Sequence, residues 1–217
     1  MAASTTSSPT STGPIGTSPF ARSCQYDRQE LAVFDEANNH WQNADQILAI
    51  GDVDGPLDTD GDGTAEVAGY PDLLMKEGNF LWLYFGSASF YLDDAREPVL
   101  VGSGSWSSYD LAAPGDRTGN GHVDLLARHR TNGELRLYAG TGPSGEGLGS
   151  GPQSTVIGSG WTQSHRPLVT AVPDAGSDNK TDVFATGGDD KFYLYPNISG
   201  SGVAVGTQGW LDFQALS

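Results

Sequence analysis

Apolar residues occur along this chain in short runs or in alternation with polar residues, and glycine-rich stretches separate them. Apolar runs include QILAIG (46 to 51) and DLLARH (124 to 129), whereas GELRLYAG (133 to 140) alternates. Such lengths and periods are typical of β-strands, and helix-forming runs are scarce. The 30 glycines and 12 prolines favour the same interpretation, because glycine supplies the positive φ angles of tight turns. The pattern predicts an all-β chain of many short strands.

The predicted strands fall into units that share one order. Each unit has a strand led by tryptophan, an acidic loop, an apolar strand, an alternating strand, and a return strand that leads to the next tryptophan. The units span about 41 to 105, 106 to 160 and 161 to 209. Four short strands per unit of this length indicate a blade of a β-propeller.

The two ends of the chain resemble the two halves of one further unit. Residues 20 to 41 resemble a second half, since ARSCQYDRQELAVF is similar to ARHRTNGELRLY, and residues 210 to 217 resemble a first strand. Pairing of 211 to 216 beside 20 to 36 would close a four-bladed ring and hide its sheet edges. The alternatives are a fragment of a larger ring, or blades that close only by oligomerising. Residues 1 to 19, rich in Ser, Thr and Pro, are expected to be a linker or tail.

Three acidic loops begin at Asp58, Asp116 and Asp174, which are 58 residues apart in both cases. Each loop places oxygen-bearing or small residues at alternate positions. The candidate metal-site residues are Asp58, Asp60, Asp62, Thr64 and Glu66 in the first loop; Asp116, Thr118, Asn120, His122 and Asp124 in the second; and Asp174, Gly176, Asp178, Lys180 and Asp182 in the third.

This alternation suits calcium, which takes six to eight oxygen ligands in a tightly wrapped loop. Position seven, which is Thr64, His122 or Lys180, would contribute its backbone carbonyl, and position nine a carboxylate where the next strand begins. The loops predict up to three Ca²⁺ ions. An alternative set for the first unit is Asp52, Asp54 and Asp72, because Asp52 also resembles a loop start. The other interpretation of all three loops is a set of Asp/Asn/Gly turns that bind no metal.

The charge of the chain limits its partners. With 11 basic and 27 acidic side chains, the net charge is −16, which disfavours nucleic acid and anionic membrane surfaces. No apolar run approaches the length of a membrane span. Cys24 is the single cysteine, so an intrachain disulfide is excluded.

The segments GDRTGNGHVDLLAR and LDTDGDGTAEV resemble the calcium loops of FG-GAP/VCBS repeats, which occur in integrin alpha-subunit propellers and in many secreted actinobacterial proteins. The resemblance covers about residues 20 to 217. It implies a β-propeller with structural calcium, secreted to an extracellular location.

The glycine-rich returns resemble those of tachylectin-type propeller lectins, in which a Gly-x-Gly-Trp corner helps to form sugar pockets between blades. This resemblance implies a carbohydrate-binding module for a glycan or cell-surface polysaccharide, with several weak sites acting together. Indole rings stack on the CH faces of sugars. The candidate ligand contacts are Trp41, Trp106, Trp161, Trp210, Tyr84, Tyr138 and Tyr195.

A second hypothesis is a docking domain for a protein partner or for an upstream domain of a larger secreted enzyme or toxin assembly. An enzyme is not expected. The chain has no Gly-x-Ser-x-Gly elbow, and its four histidines, at 40, 122, 129 and 165, lie in different segments without metal-site spacing.

Overall fold

The computed structural model describes residues 40 to 56, 58, 60 to 66, 69 to 88, 92 to 93 and 96 to 214. These residues belong to a compact unit that spans residues 31 to 217. The predictions for residues 1 to 39 and 215 to 217 lie outside the described residues. They concern the tail and the first part of the split blade. Of the strand expected at 211 to 216, the described residues 211 to 214 form a turn and a bend rather than a strand, and 215 to 216 lie outside the described residues.

The described residues form three four-stranded antiparallel sheets, in which each strand pairs with its neighbour in the chain. The first sheet contains β1 (Gln46–Gly51), β2 (Asp72–Glu77), β3 (Phe80–Tyr84) and β4 (Val99–Ser103); the second contains β5 (Tyr109–Gly115), β6 (Asp124–His129), β7 (Leu135–Tyr138) and β8 (Ser154–Gly158); the third contains β9 (Val169–Val172), β10 (Asp182–Thr186), β11 (Phe192–Tyr195) and β12 (Val203–Gly206). The one described α-helix is α1 (His40–Asn43). The prediction of an all-β chain is confirmed.

Burial is greatest in the second strand of each sheet and least in the fourth. In β6 all residues except His129 are buried, whereas the first three residues of β12 are exposed. One apolar cluster lies between the first and second sheets, and another between the second and third. Strand β5 contacts both β1 and β9, so the first strands of the three sheets are neighbours.

The acidic loops connect the first and second strands of each sheet. Gly51 pairs with Asp72 at the end of the first hairpin, and Gly115 pairs with Asp124 at the end of the second. The register therefore places Asp52 at the position of Asp116. The connection is much longer in the first sheet, where the loop from Asp58 to Glu66 ends well before β2 begins. Glu66 does not start the next strand as expected, because Asp72 occupies that position.

The tryptophans expected to lead the first strands lie before those strands. Trp41 is in α1, and Trp106 begins a 3-10 turn, Trp106–Ser108, that precedes β5. Trp161 lies in the irregular segment before β9. Each indole packs on a tyrosine of the third strand in the sheet that follows it.

Within the described ranges, no helix has the length and apolar character that crossing a bilayer requires.

Candidate metal and ligand site

A buried aspartate begins the second strand of every sheet. Asp72, Asp124 and Asp182 are each 0% exposed. All three carboxylates accept backbone N–H groups from the loop after the first strand. They also accept the N–H of the residue two positions after the end of the third strand. The donors are Val53 and Gly86 to Asp72 (both 2.7 Å), Thr118 and Gly140 to Asp124 (2.8 and 3.0 Å), and Ala175, Gly176 and Asn197 to Asp182 (2.8, 2.8 and 2.7 Å).

Burial alters the acidity of two of these groups. Desolvation raises the pKa of Asp72 to about 6, although the N–H groups of Gly86 and Val53 oppose the shift. Desolvation likewise raises the pKa of Asp124 against the hydrogen bonds from the loop. A positive ion nearby would favour the charged form of either carboxylate.

The three acidic loops share one backbone conformation. Their first carboxylate accepts the N–H of position six: Gly63 to Asp58 at 2.8 Å, Gly121 to Asp116 at 2.8 Å, and Asn179 to Asp174 at 3.0 Å. The side-chain oxygen of position five accepts the N–H of position seven, which joins Asp62 to Thr64, Asn120 to His122 and Asp178 to Lys180. The loops therefore share these two hydrogen bonds despite their different sequences. Among the described residues, the carboxylates of the first loop gather within 4.8 Å of one another, whereas the three aspartates of the third loop do not.

Positive φ angles at positions four and six produce this geometry. Gly119 and Gly121 have φ of 74° and 89°, values that glycine adopts without strain. The third loop uses Ser177 and Asn179 at φ of 62° and 60° instead. Asparagine tolerates the left-handed region better than most residues, so loss of glycine at position 179 does not abolish the turn.

The first unit contains two groups of carboxylates that could hold a cation. Asp58, Asp60, Asp62 and Glu66 form an exposed group, and Asp52, Asp54 and Asp72 form a more buried one; within each group the ligand atoms lie within 4.8 Å of one another. Both groups offer the oxygen ligands that calcium prefers. Arg96 pairs with Asp54 at 2.5 Å, so the buried group already has one cation beside it.

The tryptophan corners are packing sites in this structure. Trp106 and Trp161 are only 4% and 8% exposed. Their rings lie on Tyr138 and Tyr195, with centroids 5.1 and 4.6 Å apart, and Trp41 lies on Tyr84 at 4.7 Å. All three tyrosines are buried. The assignment of these rings to a ligand stays a prediction, and the half-buried Trp41 and Trp210 have the most surface to offer.

Sequence reasoning missed two buried cations that join neighbouring sheets. Lys76 and Arg128 are 1% and 2% exposed and occupy the fifth position of β2 and β6. Lys76 donates to the carbonyl of Tyr109 at 2.6 Å, and Arg128 to the carbonyls of Trp161 and Arg166 at 3.2 and 2.5 Å. Arg128 also pairs with Asp110. The signal in the sequence is a basic residue within an otherwise apolar strand.

An open cleft of about 600 Å³ lies between the second and third sheets, beside the second and third acidic loops. Arg117 crosses it, donating to the carbonyls of Thr181 and Asn197, both at 3.2 Å, and to the Asn197 side-chain oxygen at 3.0 Å. Thr181 donates its hydroxyl to the carbonyl of Pro114 at 2.7 Å. The second loop is therefore tied directly to the third sheet.

Searches against protein-family profiles, curated proteins and solved structures found no match for this chain.

Proposed function

We propose that this chain is a calcium-stabilised, secreted binding module with a β-propeller fold, and that its ligand is a carbohydrate. The observation that carries the calcium assignment is the shared geometry of the three loops, each built around a first carboxylate at Asp58, Asp116 or Asp174. Beside the second and third loops lies a buried aspartate that begins a strand. The role is binding rather than catalysis.

Up to three Ca²⁺ ions are proposed, one for each loop. Asp116, Asn120 and Asp124 would hold the ion of the second loop, together with the His122 carbonyl and Thr118. The third loop would use Asp174, Asp178 and Asp182 in the same way, with the Lys180 carbonyl. In the first unit, the exposed group around Asp60 is favoured over the group that contains Asp54, because Arg96 already pairs with Asp54. The ions would offset the repulsion among clustered carboxylates and would reduce the net charge of −16.

The proposed propeller has four blades, the fourth drawn from both chain ends. Exposed apolar residues on the outer faces of the first and third sheets support this. Ile47 is 51% exposed, whereas Leu111, at the same register position in the second sheet, is 3% exposed. On the third sheet, Phe184 and Phe192 are only half-buried. Phe192 stacks with both Phe184 and Trp210, and Phe213 is 52% exposed. A further sheet between these faces would cover both.

Carbohydrate is the proposed ligand because the cleft between the second and third sheets combines short polar side chains with an apolar wall. A glycan array that includes N-acetylated and acidic sugars, probed in calcium and in EDTA, tests this. Binding in calcium that falls in EDTA is expected. Lack of binding to every glycan in calcium would contradict the carbohydrate assignment and leave the calcium assignment to its own test.

Protein docking is the second candidate, favoured by aliphatic residues exposed on the fourth strands. Leu100, Val156 and Val203 are 45%, 46% and 57% exposed, one on each sheet. The fourth strand is a sheet edge, and an exposed edge can pair with a strand from a partner. Val156→Lys should weaken such a complex and leave glycan binding unchanged. The reverse result would favour the carbohydrate assignment.

A further inference from the structure

The cleft between the second and third sheets has a counterpart that is closed. Arg117 lies two residues after Gly115, and Val53 lies two residues after Gly51; both glycines pair with the aspartate that begins the next strand. Thr181 precedes Asp182 as Val123 precedes Asp124. Val53 belongs to the apolar cluster between the first and second sheets, and Val123 packs against it. The fold can therefore fill this position with two valines.

At the boundary of the second and third sheets the same two positions are polar, and a cleft of about 600 Å³ is present. At these two positions, Arg117 and Thr181 make hydrogen bonds to backbone oxygens across the boundary, beside the apolar cluster that packs the two sheets together. Valines suffice for packing at the equivalent position, whereas this polar pair both joins the sheets and lines an open cleft that a ligand could enter.

The cleft concentrates positive charge in an acidic chain. Only 11 of the 217 residues are Lys or Arg, and both Arg117 and Lys180 line the cleft. In the described part of the chain, the Arg117 guanidinium donates to backbone carbonyl oxygens and to an amide oxygen. These acceptors are uncharged, so they do not neutralise its positive charge. Asp116 also lines the cleft, but both of its oxygens accept N–H groups of its own loop, and the proposed calcium ion would neutralise it. The remaining charge favours an anion.

Part of the cleft lining is apolar. Leu137 and Ile157, from β7 and β8, line the cleft together with Pro114 and Pro173. Apolar side chains suit the CH face of a pyranose ring, while cations and amides suit its carboxylate and hydroxyl groups. Asn179 and Asn197 supply the amides.

We propose that this cleft binds a carboxylate-bearing sugar, such as a uronic acid, with Lys180 and Arg117 facing the carboxylate and Leu137 and Ile157 facing the ring. The assignment rests on the proposed carbohydrate-binding function and specifies its ligand class. Lys180 offers a flexible ammonium group, whereas Arg117 is held in place by Thr181 and Asn197.

The test compares galacturonic acid with galactose, by isothermal titration of the full chain in calcium. The acid is expected to bind at least about 10-fold more tightly, because a charge-assisted contact contributes on the order of 1.4 kcal/mol or more. Lys180→Ala should weaken binding of the acid by about 10-fold and leave galactose unchanged. Lys191→Ala is the matched control, since Lys191 is a partly exposed lysine of the turn between β10 and β11 that pairs with Asp189 outside the cleft.

A double variant, Arg117→Val with Thr181→Val, copies the closed boundary of the first and second sheets. It should abolish binding of the acid. Its thermal unfolding shows whether the chain still folds; if it does not, the Lys180→Ala result decides the matter alone. Equal affinity for both sugars, or an unchanged affinity in Lys180→Ala, would overturn the proposal. Binding of neutral glycans on the array would in that case still support the general carbohydrate function.

Discussion

The carboxylate of Asp124 accepts the backbone N–H of Gly140 at 3.0 Å. The first residue of β6 is therefore hydrogen-bonded to the second residue after the end of β7. The other oxygen of Asp124 accepts the N–H of Thr118 in the acidic loop at 2.8 Å. One buried side chain thus joins the loop, the second strand and the end of the third strand. Asp72 and Asp182 make the corresponding connections in the other two sheets.

Asp124→Ala should destabilise the chain even without calcium. The substitution leaves the N–H groups of Thr118 and Gly140 without their acceptor, and we expect a loss of about 2 to 4 kcal/mol in the free energy of unfolding. Urea denaturation in EDTA measures the loss. Asp189→Ala is the control, because Asp189 is half exposed and pairs with Lys191 at the surface. Equal losses in the two variants would show that the bridge is dispensable.

Arg128→Met should be among the most damaging substitutions on the interface between the second and third sheets. The substitution removes one of the cations that pair with the carboxylate of Asp110, and it leaves the carbonyls of Trp161 and Arg166 without this donor. We expect a loss of about 3 to 5 kcal/mol in the free energy of unfolding. Arg136→Met is the control, since that arginine is 28% exposed and its pair with Glu134 should contribute less than about 1 kcal/mol. Urea midpoints of the two variants decide the matter; a mild effect of Arg128→Met would contradict the proposed role.

Gly102→Ala should test the packing of the tryptophan corners. A Cβ atom at residue 102 would lie 2.7 Å from Nε1 of Trp106, and one at Gly158 would lie 3.0 Å from Nε1 of Trp161. We expect Gly102→Ala to cost about 1 to 3 kcal/mol, and Gly158→Ala less, because overpacking forces the ring to move. Gly151→Ala has open space around it and should be neutral by the same unfolding assay. No difference between residues 102 and 151 would refute this packing.

Acidification should release the corner that contains Trp210. Hydrogen bonds from the N–H groups of Gly209 and Leu211 lower the pKa of Asp190 below its ordinary value of 3.8. A lowered pKa in the folded state means that the stabilisation is present above pH 3.8 and is lost as the pH falls through the lower, folded value. Amide NMR shifts of residues 209 and 211 should therefore titrate below that pH. Asp190→Asn should remove the titration; its persistence would assign it to another group.

Much of this fold is readable from the sequence because strand patterns are local. The runs DLLARH and GELRLY predict β6 and β7 directly, since alternation and apolar content act over neighbouring residues. The acidic loops were also predicted, and their position between the first and second strands is confirmed.

Contacts between distant residues could not be read in the same way. The equal spacing of Asp58 and Asp116 suggested that these two residues are equivalent. The pairing of Gly51 with Asp72 instead makes Asp52 the equivalent of Asp116, which the alternative set from the sequence had allowed. Burial of Trp106 and Arg128 likewise depends on which sheet faces which, and a periodic sequence does not specify that. The sequence pattern thus identified which acidic residues could bind a metal ion. The strand register was needed to show which of these residues are equivalent in the three sheets.

Thermal unfolding of the full chain in millimolar calcium and in EDTA tests the central claim most directly. An ion that binds only the folded chain stabilises it by mass action, by about 2.7 kcal/mol when its concentration is 100 times the dissociation constant. For a chain of this size, that predicts a rise in Tm of roughly 5 to 10 °C, reversed by EDTA and restored by added calcium but not by magnesium. Identical transitions in calcium and EDTA would contradict a structural role for the ion.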